Sequence, residues 1–131
     1  MGDFKPISSA LNRITGEIVD ACYAVHNQLG PGLLESVYLL CLEYELRSRG
    51  LDVKVQQPVP VVYREVRLEG GFRIDLLVEN EVVIELKAVD AIHPIFEAQL
   101  LTYMKLSGRR LGLLVNFNVP RIKDGIKRMV L

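Results

Sequence analysis

The stretch Phe72-Arg73-Ile74-Asp75-Leu76-Leu77-Val78-Glu79-Asn80-Glu81-Val82-Val83-Ile84-Glu85-Leu86-Lys87 decides the architecture of this chain. Its apolar runs are rich in Val, Ile and Phe and flank the polar segment Glu79-Asn80-Glu81, so it reads as two strands around a turn. A hairpin closed symmetrically about Asn80 places Asp75 opposite Glu85 on one face, with Cβ atoms ~5 Å apart. Lys87 lies two residues beyond Glu85 and shares that face. Opposed carboxylates repel, and a strand as apolar as Val82 to Leu86 carries charge only for a reason. A divalent cation supplies one, because hard ions such as Mg²⁺ take oxygen ligands. The spacing D-x9-E-x-K therefore points to a metal site with a lysine beside it. The plainer alternative is a solvated strand edge on which Glu85 pairs with Lys87.

On the amino-terminal side, Ser8 and Ser9 are N-cap candidates. Behind them Leu11, Ile14, Ile18, Ala21 or Cys22, Val25 and Leu29 recur at helical spacing. Gly30-Pro31-Gly32 breaks that helix. A second helix is expected from about Leu33 to Arg49, stopping at Gly50. Its strip is Glu35, Leu39, Leu42 and Leu46, broadened by Leu34, Tyr38 and Cys41. Val53 to Gln57 alternates with period two, and Pro58 and Pro60 restrict Val59 to Tyr63 to an edge strand or an irregular stretch. Glu69-Gly70-Gly71 reads as a turn into the hairpin.

On the carboxyl-terminal side, His93-Pro94 opens a helix over Ile95 to Leu106 that ends at Ser107-Gly108. Leu111 to Phe117 reads as a buried strand, and Arg121 to Leu131 as a short basic helix or a loose end. The order helix, helix, strand, hairpin, helix, strand implies an α/β (α+β) chain forming one domain, 1–131. Its centre should be a mixed sheet of about four to five strands flanked by helices.

Half of the residues are apolar and 24% are charged, which suits a packed globular core. Sixteen Lys and Arg balance sixteen Asp and Glu, so no global basic field announces a nucleic-acid binder. A local patch and a metal can still hold a phosphodiester. Cys22 and Cys41 fall on apolar helical positions and read as buried thiols of a reducing compartment. With His26 and His93 they could supply four soft ligands, but no C-x2-C pair supports a zinc site. Met1 to Pro6 lack the apolar run of a signal peptide, and no apolar run reaches membrane-spanning length, so the cytoplasm is expected.

Three further residues could take part in chemistry. Glu35 stands one turn after Gly32, either as a first-turn complement to the helix dipole or as a third carboxylate. Gln99 and Tyr103, at i and i+4, share one face of a strongly apolar helix. They form either a polar boundary stripe or a pair that orients a phosphate or a metal ligand.

The ordered set of Glu35, Asp75, Glu85-Leu86-Lys87 and Gln99-x3-Tyr103 resembles the PD-(D/E)xK nuclease superfamily. The Q-x3-Y element is similar to that of its RecB-like exonuclease branch. Gly32-Leu33-Leu34-Glu35-Ser36-Val37-Tyr38 resembles the motif that names the GxxExxY protein family. Ile74 stands where the superfamily's nominal motif has proline. The resemblance implies a restriction-endonuclease-like fold and Mg²⁺- or Mn²⁺-dependent hydrolysis of nucleic acid, with DNA the expected partner. It implies that Asp75, Glu85, the Leu86 backbone carbonyl and Glu35 hold the metal. Lys87 would stabilise the transition state, Gln99 and Tyr103 would position substrate or water, and Tyr38 would pack. The other reading is a noncatalytic module that binds nucleic acid or a protein partner, although the joint presence of Asp75, Glu85 and Lys87 favours the enzyme. No membrane partner is expected, and a homodimer or larger complex is left open.

Overall fold

The computed structural model describes residues 5–131; Met1 to Phe4, part of the amino-terminal stretch considered above, lie outside the described residues. Helix α1 spans Ser9–Leu29, and the Ser8 hydroxyl caps it by accepting the Leu11 N–H. Gly30, at φ 67, ends it in a conformation that costs glycine little. Helix α2 spans Glu35–Ser48 and begins two residues later than the sequence suggested. Leu34 stays extended ahead of it and is exposed, so it does not join the apolar strip. Tyr38, Leu42 and Leu46 form the buried face.

Strands β1 (Val53–Tyr63), β2 (Val66–Val78) and β3 (Val82–Lys87) follow, then helix α3 (Pro94–Ser107) and strand β4 (Leu111–Asn116). A 3₁₀ turn at Ile122–Gly125 leads into β5 (Ile126–Val130). The five strands lie in the order β1-β2-β3-β4-β5, and only β3 and β4 are parallel. A parallel pair needs a crossover, and α3 provides it. The result is the expected mixed sheet, with β1 at one margin as Pro58 and Pro60 require.

Two expectations are corrected. Glu69-Gly70-Gly71 is not the turn into the hairpin. It lies inside β2, where the register passes from Val59↔Phe72 to Val61↔Leu68, so four residues of β2 advance against two of β1. The glycines shape this bulge: Gly70 has φ 76, and a Cβ on Gly71 would sit 2.6 Å from a Val61 methyl. The actual turn is at Arg64 and Glu65, between β1 and β2. The tail is neither helix nor loose end. Ile126–Val130 pairs antiparallel with β4, and Lys127 and Arg128 give it the basic look common on edge strands.

The sheet separates two apolar layers. On one side Ile18 and Cys22 of α1 and Tyr38, Leu42 and Leu46 of α2 pack with Leu76, Val78, Ile84, Leu86, Leu113 and Val115. On the other, Leu100 and Met104 of α3 pack with Ile74, Leu77, Val83 and Leu114. In β3, Ile84 and Leu86 therefore face the α1–α2 layer, and alternation turns Glu85 and Lys87 to the α3 side. Among the described residues no helix is long and apolar enough to cross a membrane.

Candidate active site at the end of the β2–β3 ladder

The β2–β3 register is the symmetric one: Val78↔Val82, Leu77↔Val83 and Leu76↔Ile84. The turn makes it so. Glu79 and Asn80 both take positive φ (53 and 57), and the Glu81 N–H bonds Val78 O at 3.0 Å. That is the geometry of a two-residue hairpin turn, with Glu81 as an added bulge residue that restores symmetry about Asn80. Arg109 pins the turn by donating to the Asn80 side-chain oxygen at 2.7 Å and to its backbone carbonyl at 3.2 Å.

The backbone ladder stops at Leu76↔Ile84, and the next pair is joined through side chains. The Leu86 N–H donates to Asp75 Oδ2 at 2.9 Å, and the Asp75 N–H donates to Glu85 Oε1 at 3.3 Å. Each carboxylate thus replaces a missing carbonyl partner at the place where the strands part. N–H and C=O of one strand residue point to the same side, so the Leu86 carbonyl is also directed at this gap. Glu85 is only 7% exposed, whereas Asp75 and Lys87 are half-buried. Burial, then the charge of Asp75 and a hydrogen bond that protonated Glu85 donates to the Asp75 carboxylate, push the Glu85 carboxyl up to about 9. Burial and the neighbouring carboxylate thus disfavour the ionised form of Glu85.

Lys87 does not pair with Glu85. Its Nζ sits 4.4 Å from the centroid of the Phe96 ring, and it joins no ion pair within 4 Å among the described residues. Glu35 is the first residue of α2 and is exposed. Although the residue is exposed as a whole, partial desolvation of its carboxyl raises its pKa, the Asp75 charge adds to this, and Lys87 opposes it. Tyr103 is half-buried, and burial followed by the charges of Glu85 and Asp75 raises its pKa. Its ring stacks on Phe72 at 4.1 Å between centroids. Gln99 is exposed one turn earlier on α3. Among the described residues no group of three or more His, Cys, Asp or Glu side chains converges closely enough to hold a metal.

Gly32-x2-Glu35-x2-Tyr38 has a structural explanation. The Tyr38 hydroxyl donates to Gly30 O at 2.5 Å and accepts the Leu33 N–H at 3.2 Å, bracing the loop that delivers Glu35. The buried Tyr38 ring stacks on Phe117 at 4.7 Å. Asn118 Oδ1 accepts the Gly32 N–H at 3.1 Å. Buried Asn116 accepts the Val89 N–H and donates to Val89 O, tying the segment after Lys87 to the end of β4.

Several of these residues escaped the sequence reading: Phe72, Phe96, Asn116, Asn118 and Gln56. Asn-x-Asn directly after the apolar run Leu111–Val115 was a usable signal. Gln56 was not, because its role is conformational. It has φ 52 and drops out of the ladder between Val55↔Leu76 and Gln57↔Ile74, the level of Asp75. Ile74 and Leu77 both pack on the α3 side, so the alternation of β2 slips at Asp75. Irregularities of this kind re-aim side chains.

The four soft residues do not form a zinc centre. His26 Nε2 bonds Val119 O at 2.8 Å, and burial pushes the Cys22 thiol up to about 12, far from the thiolate that zinc binds.

Comparison with curated proteins and with solved structures finds no match. Comparison with protein families matches residues 12–129, nearly the whole chain, to one family. The chain belongs to the PD-(D/E)XK nuclease superfamily.

Proposed function

We propose that this chain is a metal-dependent nuclease that hydrolyses phosphodiester bonds of nucleic acid, DNA in the first instance, and that residues 1–131 act as one nuclease-like domain. The carrying observation is the cross-bonded pair of Asp75 and Glu85, two carboxylates brought together where burial and repulsion favour the protonated form of Glu85. A divalent cation is the natural replacement for that proton, and the donor set is all oxygen, which fits Mg²⁺ or Mn²⁺. Asp75, Glu85 and the Leu86 carbonyl would hold the ion, with Glu35 contributing from the start of α2. When bound, it supplies Lewis acidity and neutralises the carboxylates.

The protein's own groups do the rest. Lys87, free of carboxylate pairing, donates to a phosphate oxygen as negative charge develops there. The Phe96 ring steadies its ammonium. Gln99 and Tyr103 orient the backbone or the attacking water from α3. Asp75 and Lys87 are accessible at the gap between strands, which suits a polymer laid across it. Gly32-x2-Glu35-x2-Tyr38 and Gln99-x3-Tyr103 support placement in the GxxExxY family and near the RecB-like branch, and a cytoplasmic setting accords with the two free cysteines. A second reading, a noncatalytic nucleic-acid or protein-binding module, draws on the absence of a converged three-residue metal group among the described residues.

The test is a cleavage screen on single- and double-stranded DNA and RNA with Mg²⁺, Mn²⁺ or EDTA. Wild type should cut only with metal. Lys87→Ala should keep metal binding and lose about two to three orders of magnitude in rate, and Glu85→Gln should lose both. Equal rates for wild type and Lys87→Ala would refute the role of Lys87. Metal binding with no cleavage of any substrate would favour the noncatalytic module.

A further inference from the structure

Beyond the carboxyl end of β4 lies a second recess, apart from the gap at Asp75 and Lys87. A cavity of about 260 Å³ opens between the last turns of α1 and the segment after β4, with Tyr23, His26, Asn27, Arg121 and Lys123 in its lining. Tyr23 and Asn27 stand one turn apart and share a face of α1. Both are exposed, as are Arg121 and Lys123. The backbone that carries the two cations is anchored. Ile122, between them, is buried in the α1–α2 layer, so its two neighbours are turned outward. His26 Nε2 bonds Val119 O on one side of the segment, and on the other Gly125 packs so closely on the Asn116 carbonyl that no Cβ fits.

Charge decides what this recess takes. The chain balances 16 basic residues against 16 acidic ones, yet the lining carries two cations and no carboxylate. Lys123 joins no ion pair within 4 Å among the described residues. Arg121 meets Asp124 at 3.9 Å, but both side chains are more than half exposed, so water screens the pair and leaves Arg121 available. An anion is the complement. An aromatic ring beside cations and an amide suits a nucleotide: the ring stacks the base and the cations take the phosphate. Pockets for drug-sized molecules begin near ~300 Å³, so this one has room for a single nucleotide and none for a duplex. A base reaches the Tyr23 ring only when it is unstacked, as in a single strand. Position agrees with this occupant. The Phe117 N–H donates to Lys87 O at 3.0 Å, and Arg121 follows four residues later, a reach of at most about 14 Å. Asn118, between them, accepts the Gly32 N–H of the loop that leads to Glu35. Recess and candidate site thus share one end of the sheet, within a few nucleotides along a strand.

We infer that the recess between Tyr23 and Arg121–Lys123 is a nucleotide subsite, which holds one unpaired nucleotide of a single strand whose scissile phosphate lies at Lys87. The inference rests on the nuclease reading for the strand's path, and its test is separate from cleavage. Binding of a fluorescently labelled single-stranded oligonucleotide to the full chain is measured by anisotropy in EDTA, over a range of salt. Tyr23→Ala should weaken binding about ten-fold, and Tyr23→Phe, which keeps the stacking face, should restore it. Arg121→Ala and Lys123→Ala should each weaken binding and reduce the slope of log K against log salt by about 0.7, the value for one phosphate contact on a single strand. All three side chains are exposed, so melting temperatures should stay at the wild-type value. A duplex of the same length should compete less well than the unlabelled single strand. Inorganic phosphate and a nucleoside monophosphate should compete only weakly, because each supplies one contact of several. A wild type that binds no oligonucleotide overturns the inference. So does binding that none of the substitutions moves, or binding of phosphate or mononucleotide without the oligonucleotide. Loss of cleavage in every metal with these binding effects intact would count against the nuclease reading alone.

Discussion

Glu85→Gln should make the metal-free protein more stable. In the unfolded chain the Glu85 carboxyl has an ordinary value near 4.5; in the fold, burial and then Asp75 push it up to about 9. A group whose pKa is raised by folding contributes its stability fully below the unfolded value and loses it as pH rises toward the folded one. At pH 7 folding must therefore load a proton onto a group that is ionised when unfolded. The gap between pH 7 and 4.5 is two and a half pH units, so the cost is about 3 kcal/mol, and any folded value above 7 gives a similar figure. Gln is close to an isostere of the protonated acid. Its amide can accept the Asp75 N–H, as Glu85 Oε1 does at 3.3 Å, and its NH₂ can donate toward the Asp75 carboxylate. The variant should melt higher at pH 7, roughly 5 to 10 °C if most of the cost is relieved. The difference should vanish near pH 4 and grow through pH 7. Added Mg²⁺ should reverse the order, stabilising wild type and leaving the variant unchanged. The assay is thermal unfolding of both proteins in EDTA and in Mg²⁺ across that pH range. A variant less stable than wild type at pH 7 in EDTA, or a difference flat with pH, would refute the reasoning.

Two further outcomes follow from packing. Tyr38→Phe removes the hydroxyl that bonds Gly30 O and Leu33 N–H, and should cost about 1–2 kcal/mol by thermal or urea unfolding. Tyr38→Ala also empties the space against Phe117 and should cost ~3–5 kcal/mol. Gly125→Ala should be worse than Gly112→Ala in the same assays. A Cβ at Gly125 meets the Asn116 backbone carbonyl, which cannot move aside, whereas at Gly112 it meets the flexible ends of Met104 and Leu100. Overpacking against side chains that can turn away should cost about 1 kcal/mol, and against fixed backbone about 3 kcal/mol or more. The reverse order would show that the β4 end is softer than the structure implies.

The sequence was most readable where local pattern and global fold agree. The apolar runs on either side of Asn80 identified the hairpin, and the symmetric register is the one found; runs buried on both faces do not select it by alternation, and the positive-φ turn at Glu79 and Asn80 does. The helices were legible through Ser8, Pro94 and Gly108, each a stop or start with a local physical cause. Legibility failed where one local signal has two uses. Gly70-Gly71 serves a bulge as readily as a turn, so β2 extends much farther than expected. The basic segment at Lys127 and Arg128 looks like a free tail until β4 is there to pair with it. In the site, residue identities were readable but their states were not. Whether Lys87 pairs with Glu85 or rests over Phe96 depends on α3 folding back across the sheet. The bracing by Asn118 joins residues 86 positions apart, beyond the reach of any spacing rule.

The placement of Pro58 and Pro60 on β1 has a consequence for the chain's behaviour in concentrated solution. An uncovered strand at a sheet margin is a template on which neighbouring molecules can polymerise through their backbones, as in cross-β fibrils. Two missing N–H groups near the middle of β1 interrupt that template. The bulge opposite them adds local twist, which spoils the flatness that stacking needs. The β1 margin is thus blocked against strand addition by the same two prolines that confine it to the edge of the sheet.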